Sequence, residues 1–153
     1  MRGRDASDVG AHWLAAAHGQ TPFLAWRDWE EHSHAILPTG TLGDVIAIPR
    51  HHCIAAARIQ PAAWTDVPVL EDLAAGFAYV WVPAGTEAEW DMPGTTALGS
   101  PWFVAVPRPG GPQVPERRWA QPPGHFTRLI APTDLRSALE AVPARAEGWE
   151  DTP

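Results

Sequence analysis

Five side chains able to bind a metal fall within one short stretch: His32, His34, His51, His52 and Cys53. Imidazole nitrogen and thiolate sulfur suit zinc and other late divalent ions. Between them, Ala35-Ile36-Leu37 and Val45-Ile46-Ala47-Ile48 read as two strands joined by a turn. A hairpin there would bring its open ends together, and the five groups with them. The pattern is not a standard ligand spacing, and helical geometry would splay His51 and His52 about 100° apart. Surface histidines are the plainer reading, and the sequence implies no cofactor.

Other candidate chemistry is thinner. The turn Thr39-Gly40-Thr41-Leu42-Gly43 could offer backbone N–H groups to an anion. It lacks the Gly-Lys-Ser/Thr ending of a phosphate-binding loop, and no long helix follows it. Ser100 precedes a strand, whereas a nucleophile elbow places its serine between strand and helix. Cys53 beside histidine could be an activated thiol, yet a lone cysteine on a short Ala-rich helix usually packs as a small hydrophobe. The carboxylates are scattered, without the paired aspartates at a strand end that two-metal phosphoryl chemistry needs.

From Pro107 to Arg128 the chain is locally basic, with Arg108, Arg117, Arg118 and Arg128 against Glu116. Such a patch could grip an acidic partner or a phosphate; a solvated loop is the alternative. Trp and Arg are favoured interface anchors, so Trp90, Trp102, Arg108, Arg117, Arg118 and Trp119 are the candidate binding residues.

Composition narrows the field. The 153 residues fit one domain, and 45% apolar against 19% charged content is enough to build a core. Nine Trp stand against one Tyr, and Trp13, Trp26, Trp29 and Trp81 are expected in the core or at its margin. All eleven basic residues are Arg, a mark of high-GC coding rather than of chemistry. A net charge of −7 disfavours nucleic acid as an autonomous partner. The single Cys53 excludes an intrachain disulfide and a Cys-based zinc finger. No stretch approaches the roughly 20 apolar residues of a membrane-spanning helix. A cytoplasmic protein with no membrane partner is expected.

The periodicities predict helices from Ser7 or Asp8 to about His18, from Phe23 through Trp29, from His51 to Ile59, and a last one carrying Leu135 to Val142. Phe77–Val82 is apolar at nearly every position, as a central strand covered on both faces would be. Trp102–Val106 is a second buried strand. Shorter strands are expected near Val67–Leu70, Glu87–Trp90 and Arg117–Trp119. The whole reads as one α+β domain over residues 7–142, a mixed or antiparallel sheet flanked by helices, with flexible termini at 1–6 and 146–153.

Several short motifs carry a resemblance. Leu37-Pro38-Thr39-Gly40, Asp44-Val45-Ile46-Ala47-Ile48-Pro49, Val82-Pro83-Ala84-Gly85-Thr86, Trp90, Ala97-Leu98-Gly99, Val104-Ala105-Val106-Pro107-Arg108-Pro109 and Trp119 with Pro122-Pro123 look like a group of small proteins from high-GC bacteria. More distantly, the same order over residues 8–142 resembles the N-terminal domain of bifunctional primase–polymerases, in the archaeo-eukaryotic primase superfamily. The resemblance implies a strand bearing Asp-x-Asp for metal, where this chain has Ala47-Ile48-Pro49. It implies a His on the next strand, where this chain has Gly76-Phe77-Ala78-Tyr79. The third acidic position has no convincing counterpart; Asp91 lies upstream of it, and Asp44 sits only at the start of its strand. The expectation is a degenerate scaffold: a non-catalytic interaction or regulatory module, whose partner is another protein. The alternatives are residual nucleotide or nucleic-acid binding without catalysis, and a metal-dependent enzyme built on the His/Cys group.

Overall fold

The computed structural model describes residues 5–143. The expected flexible stretches 1–4 and 146–153 lie outside the described residues. Among the described residues the structure is α+β: four α-helices, with short 3₁₀ turns, and seven strands arranged in two antiparallel sheets.

The first helix, α1 (Ala6–Ala15), starts one turn earlier than expected, because the Asp5 carboxylate accepts the Asp8 N–H at 2.8 Å and caps it. Residues 5 and 6 are therefore part of the fold. Gly10 lies where a Cβ would sit 2.0 Å from the Pro123 carbonyl oxygen, so only glycine lets α1 press onto that loop. A 3₁₀ turn continues to His18, and Gly19 (φ 64°) stops it. In α2 (Phe23–Glu31) Trp26 and Trp29 meet edge to face at 5.2 Å, and Trp29 Nε1 donates to the Val106 carbonyl at 3.0 Å.

The strands are β1 (Ala35–Pro38), β2 (Asp44–Pro49), β3 (Val69–Asp72), β4 (Phe77–Val82), β5 (Thr96–Leu98), β6 (Phe103–Val106) and β7 (Arg117–Gln121). Five form a sheet in the order β5-β2-β4-β3-β7, with β4 at its centre as its apolar run predicts. Asp44 at the head of β2 is buried, and its Oδ2 accepts the N–H groups of Gly85 and Glu87 at 3.0 and 2.9 Å. It is a structural clasp on the loop after β4. That loop holds a 3₁₀ turn at Thr86–Ala88 in place of the edge strand expected at 87–90; the strand that follows, β5, takes one edge of the sheet.

The remaining strands, β1 and β6, pair into a separate two-stranded ribbon. The expected β1–β2 hairpin does not form. Thr39 N–H donates to the Trp102 carbonyl at 2.9 Å and Gly40 N–H to the Gly43 carbonyl at 2.8 Å, so the connection turns out of the ribbon plane. Leu37 and Val45 end in one hydrophobic cluster, which places the two strands face to face in stacked layers instead of edge to edge. A five-residue connection bordered by Pro38 leaves room for this arch, and burying both apolar runs favours it.

Alternation divides the sheet into two faces. Ile46, Ile48, Val69, Val80 and Val82 pack under α3 (Arg50–Ile59) and α4 (Pro132–Glu140). Val45, Leu70 and Trp81 pack under the ribbon, α1 and α2, with Trp13, Trp26, Trp29 and Trp119 half-buried around them. Each fully buried aliphatic side chain contributes roughly 1.5–3 kcal/mol. Among the described residues, no helix is long and apolar enough to cross a membrane.

Candidate functional site

The polar centre of the molecule is built where β3 meets β7. The strands run antiparallel with Glu71 opposite Arg118 and Asp72 opposite Arg117. Successive residues face opposite sides of a sheet, so the two carboxylates point apart and each meets its own guanidinium. On the α3 side, the buried Glu71 carboxylate takes Arg50 Nε at 3.0 Å on Oε2 and Arg118 Nε at 2.8 Å on Oε1. On the ribbon side, Asp72 Oδ2 takes Arg117 Nη2 at 3.0 Å and the Tyr79 hydroxyl at 3.3 Å, while Oδ1 caps the Ala75 N–H at 3.0 Å. Arg117 also donates from Nη1 to the Ala105 carbonyl at 2.8 Å and lies over the Tyr79 ring. Both carboxylates are fully engaged, Glu71 by two guanidinium groups and Asp72 by one guanidinium, a hydroxyl and a backbone N–H.

Burial sets the protonation states nearby. The Tyr79 hydroxyl is pushed up by desolvation, against the pull of Arg117. His34, half-buried, is held below the usual imidazole value by burial and then by the Arg117 charge. The Cys53 thiol is pushed up to about 12 by burial and by Glu71, which leaves it a packed hydrophobe and not a nucleophile.

Beside this centre lies an open cleft of about 360 Å³ between the 107–114 loop and β7. Arg108, Gln113, Arg117, Arg118 and Trp119 line it, and no acidic residue does. Four of the six residues expected to bind are thus brought to one place. Their roles differ. Arg117 is spent on Asp72 and Ala105. Trp119 is half-buried, its ring centroid 5.6 Å from that of Trp81 and its Nε1 donating to the Pro107 carbonyl at 2.8 Å. Arg118 commits only Nε and keeps 58% of its side chain exposed. Arg108 is exposed, and no ion pair to it is found among the described residues.

The other two candidates lie apart. Trp90 packs against the α3–α4 side of the core, donates to Thr95 Oγ1 at 2.7 Å, and is stacked under Arg136, which pairs with Asp91. Trp102 is 56% exposed just before β6, at the far end of that strand from the cleft. Arg128, from the same basic stretch, instead ties the 3₁₀ turn at Pro61–Trp64 by donating to the Ala62 and Ala63 carbonyls.

The His/Cys group does not assemble. Among the described residues, no three His, Cys, Asp or Glu side chains are placed to hold a metal ion. Without the hairpin, His34 stays with the ribbon, its Nδ1 3.0 Å from Ser33 Oγ, while α3 carries the other three away. His32 ends α2, His51 is exposed, His52 Nε2 lies 2.9 Å from the Leu139 carbonyl, and Cys53 is buried. The Thr39–Gly43 turn likewise spends the N–H groups of Thr39 and Gly40 on carbonyls.

The pair Glu71 and Asp72 was missed in sequence, although the signal was present. An acidic pair closes one apolar run, and Arg117-Arg118 opens a later one; such runs pair favourably when antiparallel. Family models, curated proteins and solved structures offer no match to this chain.

Proposed function

We propose that this protein is a non-catalytic binding module that grips an acidic partner protein in the cleft between the 107–114 loop and β7. One observation carries the reading: three Arg and one Trp line an open cleft without a carboxylate, on a chain whose net charge is −7. Arg108 and the outer edge of Arg118 supply donors for carboxylates, and Trp119 supplies a rigid apolar wall. The buried strand carboxylates this chain does carry, Glu71 and Asp72, are paired with guanidinium groups and not free to hold the metals of nucleotidyl transfer. The reading rests on the cleft, and it holds whether or not the scaffold descends from a primase–polymerase domain. A cytoplasmic location, where a lone thiol stays reduced, belongs to the same proposal.

The test is titration with poly-L-glutamate and, separately, with an oligo-dT strand, at low and moderate salt, read by Trp fluorescence. Salt-sensitive binding of the polyglutamate, weakened roughly five- to tenfold in Arg108→Ala, is expected. Preference for oligo-dT would transfer the cleft to nucleic acid; binding of neither would end this reading.

A further inference from the structure

The cleft borders a sheet edge that, among the described residues, carries no strand and only the bridge from Val114 to Arg117, and the two together specify how a partner would lie. β7 is the last strand of its sheet. Leu73 N–H donates to the Glu116 carbonyl, which fixes the alternation along the strand: Arg118 turns its backbone groups toward β3, and Arg117 and Trp119 turn theirs outward. Val114 takes the Arg117 N–H at 3.3 Å. The same alternation turns the Trp119 N–H away from β3, just before the register shift opposite Val69 and Leu70.

Both flanks of this edge are hollow. On the ribbon side is the basic cleft, toward which Arg117 and Trp119 turn their side chains, while Arg118, also in its lining, turns toward Glu71 on the α3 side. On the α3 side a mostly apolar cavity of about 170 Å³ is lined by Cys53, Ile54, Ala57, Trp64 and Ala120, with Glu71 and Gln121 its polar members. A strand laid against β7 sends alternate side chains to opposite faces. One set would enter the basic cleft and the other the apolar cavity.

From this placement we propose that the partner contributes an extended segment that adds as a strand to the outer edge of β7, with acidic residues alternating with apolar ones. The inference rests on the acidic-partner reading and adds the geometry of binding. Charge favours this occupant: the cleft lining carries arginines and no acid, and two copies of this chain, each at net charge −7, repel one another as wholes. Main-chain hydrogen bonds would supply affinity, and the two hollows would supply specificity.

The experiment is selection from a phage library of random peptides on the full chain. The best peptide is then resynthesised with N-methyl groups on one or the other alternate set of amides, and hydrogen exchange at the Trp119 amide is followed. We expect acidic–apolar alternation in the selected sequences and protection of Trp119 on binding. We also expect a loss of at least tenfold for one N-methylated set and little change for the other. Acidic peptides that need Arg108 but leave Trp119 unprotected, or tolerate both methylated sets, would overturn strand addition and leave the parent reading standing. Selected peptides without acidic residues, bound equally well by Arg108→Ala, would overturn the parent reading. Failure to select any peptide would remove both. Protection of Trp119 by raising the concentration of the protein alone would assign the edge to a second copy and overturn the proposal.

Discussion

Arg117 and Arg108 line the same cleft, yet they sit in opposite electrostatic settings. Arg117 is 21% exposed, with one terminal nitrogen on Asp72 and the other on a carbonyl. Arg108 is exposed on a Pro/Gly loop, without an ion pair among the described residues. The difference follows from what lies behind each residue. Arg117 stands on a strand opposite a buried carboxylate, so its charge is consumed in holding β3 to β7. Arg108 stands on a loop that packs against Ser7 at the start of α1 and borders a hollow with Asp5 and Asp8, yet it is exposed and forms no ion pair among the described residues. The contrast separates two jobs that a basic motif can do: closing a sheet, and recognising a ligand.

The largest expected effect is on the inner side. Asp72→Ala removes the acceptor of Arg117, the Tyr79 hydroxyl and the Ala75 N–H together. Stranding a largely buried guanidinium should cost about 3 kcal/mol in denaturant unfolding. Adding Arg117→Ala should recover part of that loss, because no unpaired charge is then left. If the single variant were as stable as the parent, the inner pair would be no more structural than the rim.

Alkali probes the same inner region without touching the cleft. The Cys53 thiol has its ordinary value near 9 and is pushed up to about 12 in the fold, so between these values the unfolded chain binds fewer protons than the native one. Stability must then be intact below pH 9 and fall as pH rises toward 12. Cys53→Ala should flatten that part of the unfolding curve; the raised Tyr79 hydroxyl leaves a residual slope above its ordinary value of 10. An unchanged alkaline slope in Cys53→Ala would mean that the thiol reaches water.

A middle case should behave as a hybrid. Arg118 touches buried Glu71 with one nitrogen but keeps 58% of its side chain exposed. Arg118→Ala leaves Glu71 with Arg50, so the expected cost is only about 1 kcal/mol. The same variant should weaken polyglutamate binding. Loss of stability without loss of binding would place Arg118 wholly with the inner group.

Much of this arrangement was legible in sequence where burial alone decided it. Phe77–Val82 is apolar throughout and became the central strand; Gly19 stops the first helix at its positive φ. Arg108, Arg117, Arg118 and Trp119 lie along one cleft, while Arg128 of the same basic stretch lies elsewhere. What failed was pairing. Leu37 and Val45 carry the same apolar signal whether their strands meet by edges or by faces, and only the packed layers distinguish the two. That single ambiguity dispersed the His/Cys group. Nor could the sequence separate Arg117 from Arg108, because their difference depends on the register that sets Asp72 opposite one of them.

The smallest expected effect on stability is therefore the most informative about function. Arg108→Ala removes an exposed side chain on a loop, and its unfolding free energy should change by less than about 0.5 kcal/mol. Affinity for an acidic chain should nevertheless drop roughly five- to tenfold and lose part of its salt dependence, because the outward charge is the one a ligand meets. Trp102→Ala supplies the matched control: it deletes a larger exposed side chain at the far end of β6, yet should alter neither stability nor polyglutamate binding appreciably. If Trp102 mattered to binding as much as Arg108, recognition would extend along the ribbon, and the division between a structural inner edge and a recognising outer one would have to be redrawn around β6.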